Sequence, residues 1–163
     1  MVVAFFDCYS GIAGDMILGA LIDLGIDSKI LKKELEKLNI SGYKIKVQKV
    51  EKNHISATDV IITINEEQHH RNLKVINEII DKSNLASDVK DLSNKVFHRL
   101  AEAESKIHNT DINKVHFHEV GAVDSIIDIV GAAISLKKLG IKHVFCSKIP
   151  LGRGFTKCSH GII

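Results

Sequence analysis

The segment VHFHEVGAVDSIID, residues 115–128, concentrates side chains that can bind a metal ion. Its two histidines are two positions apart, and residues i and i+2 of an extended segment point to the same side. Its two aspartates are four positions apart, which places them on one face of a helix. Imidazole suits nickel, zinc and copper, but two histidines cannot close a site, so carboxylates must contribute. The candidate metal ligands here are His116, His118, Glu119, Asp124 and Asp128.

A strand that runs into a well-capped helix would explain the same segment without a metal. In that interpretation Asp124 is the helix N-cap, and Asp128 is an early carboxylate favoured by the helix dipole. The two histidines would then lie on the solvent-exposed face of the strand. The segment alone leaves both interpretations open.

The polar run EEQHHRN holds a second histidine pair, His69 and His70. Neighbouring histidines on a loop can hold a borderline metal loosely, and we keep both as candidate ligands. The same composition is also typical of a solvated linker.

The segment FDCYSGIAGDM, residues 6–16, has the form of a strand, a glycine-containing turn and a helix start. Backbone N–H groups and the helix dipole at such a place suit a phosphate or another anion. The segment matches neither a Walker loop nor the GxGxxG pattern. A tight turn followed by a helix capped by Asp15 is the alternative. The candidate phosphate-binding or substrate-binding residues are Asp7, Ser10, Gly11, Gly14 and Asp15.

A glycine-flanked basic segment, LGRGFTKCSHG, occupies residues 151–161. Arg153 offers a forked donor for phosphate, and Lys157 and His160 can assist it. Cys158 and His160 could instead form a pair of soft metal ligands or an activated thiolate. An exposed segment with no ligand is the third possibility.

Elements that could position these residues follow from periodicity and breaker residues. The longest predicted helix starts near Leu85, and its apolar residues recur at steps of three and four. The apolar positions of that helix are Leu85, Val89, Leu92, Val96, Leu100, Ala103 and Ile107. The other predicted helices are 15–24, 27–38, 73–80 and 124–140. The predicted strands are 2–6, 43–47, 58–64 and 142–149, with an extended segment at 115–120 and a long bent connection at 52–56.

The pattern predicts an α/β or α+β fold, in which helices pack on a single mixed sheet with a central antiparallel two-stranded segment. The 163 residues are enough for one domain, 1–163, with its own core. The apolar fraction of 45% and the lack of low-complexity runs support folding.

Composition argues against several classes of partner. The formal charge is only +2 and the lysines are scattered, so we expect no nucleic-acid partner. No stretch approaches the ~18 apolar residues of a membrane span, and the first residues do not form a signal peptide. The three cysteines form no CxxC pair, which fits a reducing, cytoplasmic location.

Four of these stretches occur together and in the order known from one family. DCYSGIAGDMILGALIDLG, HHRNLK, VHFHEVGAVDSIIDIVGAA and PLGRGFTKCSHG closely resemble nickel-insertion proteins of the LarC type. The resemblance spans almost the whole chain, and it rests on the set of long motifs rather than on any single one.

The resemblance implies a function in cofactor assembly. Such proteins insert nickel into a pyridinium-3,5-bisthiocarboxylic acid mononucleotide and complete the nickel-pincer cofactor of lactate racemase. The reaction depends on CTP, which is hydrolysed, and on Mg²⁺ or Mn²⁺ that holds it. The implied activity is that of a CTP-dependent nickel chelatase of the lyase class, with nickel and the pincer mononucleotide as its substrates.

Full-length members of this family are longer than 163 residues. The resemblance therefore implies that this chain is the N-terminal part of a protein whose C-terminal domain, in the same or a separate chain, binds CTP. Two alternatives to nickel insertion stay open for the segment itself. It could be a non-catalytic docking or homo-oligomerisation module, or a phosphate-binding module without a nickel site.

Overall fold

The computed structural model describes residues 1–65, 71–115, 117, 121–152, 154, 155, 157, 158, 161 and 162. Five α-helices alternate with short strands. The helices are α1 (Gly14–Asp23), α2 (Ser28–Leu35), α3 (Leu73–Lys82), α4 (Ser87–Ile107) and α5 (Val123–Lys138). The strands are β1 (Val2–Phe6), β2 (Tyr43–Lys52), β3 (Ile55–Ile64), β4 (Ile141–Cys146), β5 (Lys157–Cys158) and β6 (Gly161–Ile162). Two 3₁₀ turns, Glu36–Leu38 and Ile112–Lys114, follow α2 and precede α5.

The core lies between the helices and one face of the β2–β3 hairpin. Helix α5 is central, because it contacts α1, α2, α4 and β3. Leu18 of α1 packs over Gly131 of α5, where an added Cβ would come within 2.9 Å of Leu18 Cδ2. Gly131 therefore allows α1 and α5 to pack closely in the interior of the domain. The fully buried side chains include Leu18, Leu21, Leu35, Ile76, Ile80, Phe97, Phe117, Ile126, Ile127 and Ile134.

The predicted α/β class and the antiparallel two-stranded segment are confirmed. The strands of the described residues form three separate two-stranded sheets, β1–β4, β2–β3 and β5–β6, instead of one mixed sheet. Sheet β1–β4 is parallel and pairs the first strand of the chain with the strand that follows α5, with Phe5 opposite Phe145. The other two pairs are antiparallel. The sequence could not show this division, because periodicity identifies strands but not their partners.

The connection between β2 and β3 is shorter than predicted. The strands pair without interruption from Tyr43 and Ile64 to Lys52 and Ile55, so only Asn53 and His54 make the turn. Both have positive φ, 52° and 64°, as a type I′ hairpin turn requires. The prediction of a long bent connection was wrong because the turn contains no glycine to mark it.

Helix α4 buries a different stripe from the predicted one. Val89, Ser93, Phe97 and Ala101 face the core, whereas Leu92, Val96 and Ile107 are exposed. Ser93 tolerates burial because its hydroxyl donates to Val89 O at 2.8 Å. A polar residue therefore occupies a core position, and the apolar count alone could not detect it.

Helix starts lie one residue from the predicted positions at α1, α2 and α5. The Asp27 carboxylate accepts from Lys29 N at 2.7 Å and caps α2, which starts at Ser28, one residue after the predicted start. Helix α1 begins one residue before Asp15, and α5 begins one residue before Asp124. Asp15 and Asp124 therefore lie in first turns, and the prediction that they are N-caps was wrong. No helix among the described residues is long and apolar enough to cross a membrane.

Candidate metal site

Three aspartates from two helices meet at the N-terminal ends of α1 and α5. Asp15 lies in the first turn of α1, and Asp124 and Asp128 lie one turn apart on α5. All three line one cavity of about 350 Å³, which we call the acidic cavity. Its full lining is Ala13, Gly14, Asp15, Asp59, Val60, Ile61, Ile62, Asp124 and Asp128. The i, i+4 spacing thus places both α5 carboxylates on one face of the helix, as the sequence predicted.

Gly14 allows the two helices to come this close. A Cβ added at position 14 would overlap three atoms of the Asp128 side chain, Oδ2, Cγ and Cβ. Only a residue without a side chain can therefore occupy the first position of α1 opposite Asp128. Gly14 acts here through its small size, which is a different role from the predicted contact with phosphate.

Asp128 is in an unfavourable environment for its charge. Burial, followed by the negative charges of Asp15 and Asp124, raises the pKa of Asp128 from the usual 3.8 to about 6. Its Oδ1 atom is buried and finds no hydrogen-bond donor among the described residues. Buried polar atoms almost always have a partner, and a bound ion is one established explanation for an exception. A cation in the cavity would offset the repulsion among the negative charges of Asp15, Asp124 and Asp128.

The neighbouring first-turn carboxylates are exposed and have only local hydrogen bonds. Asp15 Oδ1 accepts from Met16 N at 2.8 Å, and Asp124 Oδ1 accepts from Ser125 N at 2.7 Å. Among the described residues, no hydrogen bond is found to the second oxygen of either carboxylate. These oxygens can turn toward a ligand in the cavity at little cost, because an exposed side chain loses few contacts by moving.

Asp59 is a fourth carboxylate at the cavity, and the sequence interpretation missed it. It lies on β3 opposite Gln48 of β2, whose Nε2 donates to Asp59 Oδ2 at 3.1 Å. The signal in the sequence was a charged residue just before the apolar run VIITI. That signal is weak, because a charge near a strand end is usually solvent-exposed.

The described carboxylates do not complete a metal site by themselves. Among the described residues, no group of three or more His, Cys, Asp or Glu side chains has the arrangement of a metal site. Further ligands would have to come from elsewhere. The predicted ligands His69, His70, His116, His118 and Glu119 lie outside the described residues.

The chain segments that flank the two histidine pairs are in contact. Arg71, which follows His70, donates from Nη1 to the carbonyl of Gly121 at 3.3 Å. Gly121 lies against the backbone of Arg71 so closely that an added Cβ would be 2.7 Å from Arg71 O. Gly121 is in turn two residues before α5, which carries Asp124 and Asp128. The described residues therefore connect both histidine-containing segments to the start of α5.

Phe117, the residue between His116 and His118, is anchored in the core. Its ring is fully buried, and its ring centroid lies 6.4 Å from that of Phe97, at an interplanar angle of 58°. This edge-inclined geometry is a favourable arrangement for two aromatic rings. Phe117 is thus packed against α4.

The predicted phosphate-binding residues are divided between two places. Gly14 and Asp15 line the acidic cavity, whereas Asp7 and Gly11 line a separate cavity of about 130 Å³ with Phe6, Cys8 and Met16. Ser10 is exposed in the turn between them. Gly11 N donates to Cys8 O at 2.9 Å, and Gly11 adopts φ +91°, so this turn requires glycine.

The C-terminal basic segment is described only in part. Lys157 and Cys158 form β5 and pair with Gly161 and Ile162. Arg153 and His160, which the sequence proposed for phosphate binding, lie outside the described residues. The phosphate-binding role of this segment therefore stays a prediction.

The fold and the acidic cavity define an α/β domain with carboxylates gathered at the N-terminal ends of two helices, and comparison with known proteins gives its family. The family model for nickel insertion proteins matches residues 4–163. The chain belongs to this family.

Two curated relatives carry a more specific name, pyridinium-3,5-bisthiocarboxylic acid mononucleotide nickel insertion protein. The one from Acetivibrio thermocellus is 49% identical over 170 residues, covering 99% of this chain and 42% of the relative. The one from Desulfitobacterium hafniense is 48% identical over 163 residues, covering 100% of this chain and 40% of the relative. The chain thus spans about two fifths of the length of these relatives. No solved structure matches.

Proposed function

We propose that this chain takes part in inserting nickel into a pyridinium-3,5-bisthiocarboxylic acid mononucleotide, and that the acidic cavity holds the nickel ion before transfer. The observation that carries the proposal is the position of Asp128. Its buried oxygen lacks a donor among the described residues, and two further aspartates share its cavity. The relatives' names supply the substrate, and the cavity supplies a place for the cation.

The charge of the cavity favours a cation over a phosphate. Four carboxylates line it, and the described lining includes no lysine, arginine or histidine. A phosphate at the N-terminus of α1 would gain from the helix dipole, which is worth about 0.3–1 kcal/mol. Repulsion from several carboxylates at short range outweighs a term of that size. We therefore move Gly14 and Asp15 from the predicted phosphate-binding set to the metal-binding set.

Carboxylates alone would not select nickel. Oxygen ligands suit magnesium, calcium and manganese, whereas imidazole suits nickel and other borderline metals. We infer that His116 and His118 supply this selectivity, with His69 and His70 as additional ligands, because the flanking residues Arg71 and Gly121 are in contact near the start of α5. Glu119 is retained as a further oxygen ligand of the same segment.

A site built in this way could release the ion to its acceptor. Oxygen and imidazole ligands bind nickel less tightly than the soft sulfur atoms of two thiocarboxylates would. Transfer from the cavity to the mononucleotide is then favourable, and neutral imidazole on the donor side can accept a proton as the metal leaves. The acidic cavity is therefore suited to delivering nickel rather than retaining it.

The wider reaction extends beyond this chain. We propose that the product is the nickel-pincer cofactor of lactate racemase, that the reaction is CTP-dependent and of the lyase class, and that it takes place in the cytoplasm. The acidic lining does not suit a triphosphate, so we place CTP and its Mg²⁺ or Mn²⁺ on the region of the relatives that this chain does not span. Arg153, Lys157 and His160 stay candidates for the phosphate of the mononucleotide.

Calorimetric titration with NiCl₂ tests the nickel assignment. The wild-type chain should bind nickel, the double variant His116→Ala/His118→Ala should lose tight binding, and Asp128→Asn should bind at least tenfold more weakly. The matched control is His54→Ala/His98→Ala, which removes two exposed histidines distant in sequence from the site. Unchanged binding in His116→Ala/His118→Ala would falsify the assignment.

A further inference from the structure

The parallel β1–β4 sheet exposes an unusual amount of apolar surface. Phe5 is 65% exposed, Phe145 is 57% exposed and Val144 is 50% exposed. We call the surface formed by Val3, Phe5 and Phe145 the β1–β4 surface; all three are exposed, and Val144, which is paired with Ala4, is exposed on the opposite face of the sheet. Contiguous apolar patches on a folded protein usually mark a place where another polypeptide binds.

The register concentrates the two largest side chains on one face. Phe5 and Phe145 are paired neighbours in the parallel ladder, and Val3 is paired with His143 two residues earlier on the same face. Parallel sheets are almost always covered on both faces, because the crossover connections place helices there. In the part of the chain that the structure describes, α5 contacts β4, yet Phe5 and Phe145 stay exposed on their face of the sheet.

The edges of the same sheet are also open. Within the described residues the sheet has only two strands, so each strand leaves one row of N–H and C=O groups without a strand partner. Proteins usually protect such edges with charged residues, proline or a bulge in the exposed strand. Strand β1, VVAFF, has no charged residue and no proline, and its one irregularity is a register shift between Val2 and Val3, at the start of the strand. An exposed edge of this kind is suited to pairing with further strands.

We propose that the β1–β4 surface is the docking site for the additional region of nickel insertion proteins that this chain does not span. The length relation supports this occupant, since the chain covers only 42% and 40% of two relatives that match it almost from end to end. The rest of each relative, roughly three fifths of its length, is long enough to supply a folded region that covers this surface. The β1–β4 surface has the apolar area and the open edges that such a contact needs.

The location of the sheet links this docking to the candidate metal site. Strands β1 and β4 are tied together at their carboxyl ends, where Cys8 N donates to Ser147 Oγ at 2.7 Å and Ser147 N donates to Phe6 O at 2.9 Å. Gly14 and the acidic cavity follow β1 by eight residues. Ligands of α/β proteins commonly bind at the carboxyl ends of parallel strands. A region docked on this sheet would therefore flank the place where nickel is held.

Amide hydrogen exchange tests the docking. The 163-residue chain is compared with a chimera in which it replaces the matched segment of the Acetivibrio thermocellus relative. We expect the amides of β1 and β4 to exchange at least tenfold more slowly in the chimera, while those of α5 exchange equally in both and show that the domain is folded. Equal exchange of β1 and β4 in the two proteins would overturn the proposal.

Substitutions at the surface separate docking from a general effect of the fusion. Phe5→Lys/Phe145→Lys should restore fast exchange of β1 and β4 in the chimera. The control Ile55→Lys/Ile107→Lys makes the same change at two exposed residues away from this sheet and should leave the slow exchange intact. If the control restores fast exchange as strongly, the proposal is wrong.

A second copy of the same chain is the competing occupant. Sedimentation velocity of the 163-residue chain should show a monomer, and Phe5→Lys/Phe145→Lys should leave its sedimentation unchanged. A dimer that this double variant dissociates would overturn the proposal in favour of self-association. The proposal rests on family membership and not on the nickel site, so loss of nickel binding in the titration would not affect it.

Discussion

The carboxylate of Asp128 lies directly against Gly14, in the space that a Cβ at position 14 would occupy. This contact joins the first residue of α1 to the second turn of α5 across more than a hundred residues of sequence. It also sets the distance at which Asp15 approaches Asp128. The electrostatics of the acidic cavity therefore depend on the absence of a single methyl group.

Gly14→Ala should displace the Asp128 carboxylate and weaken nickel binding at least tenfold. The added Cβ overlaps three atoms of Asp128, so either the side chain rotates away or the two helices separate. Calorimetric titration with NiCl₂ measures the effect. Gly152→Ala is the matched control, because a Cβ there has no atom within 4 Å. Equal nickel affinity in Gly14→Ala and wild type would show that the ion does not bind beside Asp128.

Asp128→Asn should stabilise the metal-free protein at neutral pH. The folded state raises the pKa of Asp128 to about 6, so its favourable contribution is complete below the unfolded pKa of 3.8 and is lost as the pH rises through 6. At pH 7 the aspartate is charged and costs stability, whereas asparagine is neutral. After allowance for solvent screening of a half-buried group, we expect a gain of about 1–2 kcal/mol at pH 7.

Urea unfolding at pH 4 and pH 7, without metal, measures this prediction. The advantage of Asp128→Asn should be present at pH 7 and small at pH 4. Asp111→Asn serves as the control, because Asp111 is exposed and hydrogen bonds donated by Asn113 lower the pKa of its carboxyl, so its charge is favourable in the folded state. That variant should be slightly less stable than wild type at pH 7. A loss of stability in Asp128→Asn at pH 7 would contradict the assigned environment.

The sequence predicted the local features of this domain better than its long-range ones. The start of α2 near residue 27 and the α5 face shared by Asp124 and Asp128 depend on residues within one or two turns of each other, and the pattern contained that information. The buried Ser93 of α4 was missed because its hydrogen bond to its own helix cannot be inferred from hydrophobicity. Element boundaries were less accurate: helix starts shifted by one or two residues, whereas β2 continues to Lys52 and β3 begins at Ile55, beyond the predicted strands 43–47 and 58–64.

The candidate site depends on contacts that no local pattern reveals. Asp15, Asp59 and Asp128 come from three elements, and only packing of α1, β3 and α5 brings them to one cavity. The sequence assigned Gly14 and Asp15 to phosphate because a glycine turn before a helix commonly binds anions. The neighbouring carboxylates reverse that preference, and they are distant in sequence. Family resemblance identified the motifs, but it could not tell which of them meet.

Gly19→Ala should destabilise the domain by about 2 kcal/mol or more, since a Cβ at this position overlaps the backbone carbonyl of Thr58. Helix α1 is held against β3 there, and Asp23 accepts hydrogen bonds from Thr58 N at 3.1 Å and from Thr58 Oγ1 at 2.5 Å. Backbone cannot move aside as a side chain can. Urea unfolding at pH 7 measures the loss.

Gly131→Ala provides the comparison for Gly19→Ala. It also adds a methyl group to a buried helical glycine, but the nearest atom is Leu18 Cδ2, at the flexible end of a side chain. The gain in helix propensity of up to about 1 kcal/mol offsets part of the strain. We expect less than half the loss of Gly19→Ala, and a larger loss would mean that α1 is held more tightly by α5 than by β3.

Phe117→Leu should weaken nickel binding without touching a ligand. Phe117 lies between His116 and His118 in the chain, and its buried ring packs on Phe97 with 6.4 Å between ring centroids. Loss of the aromatic contact and of part of the buried area should cost about 1–2 kcal/mol of stability. It should also loosen the segment that carries both histidines, so we expect nickel affinity to fall several-fold in calorimetric titration.

Phe97→Leu removes the same ring contact from the α4 side and should lose similar stability, while its nickel affinity stays closer to wild type. Equal nickel affinities in the two variants would show that Phe117 supports only the core and does not position the histidines.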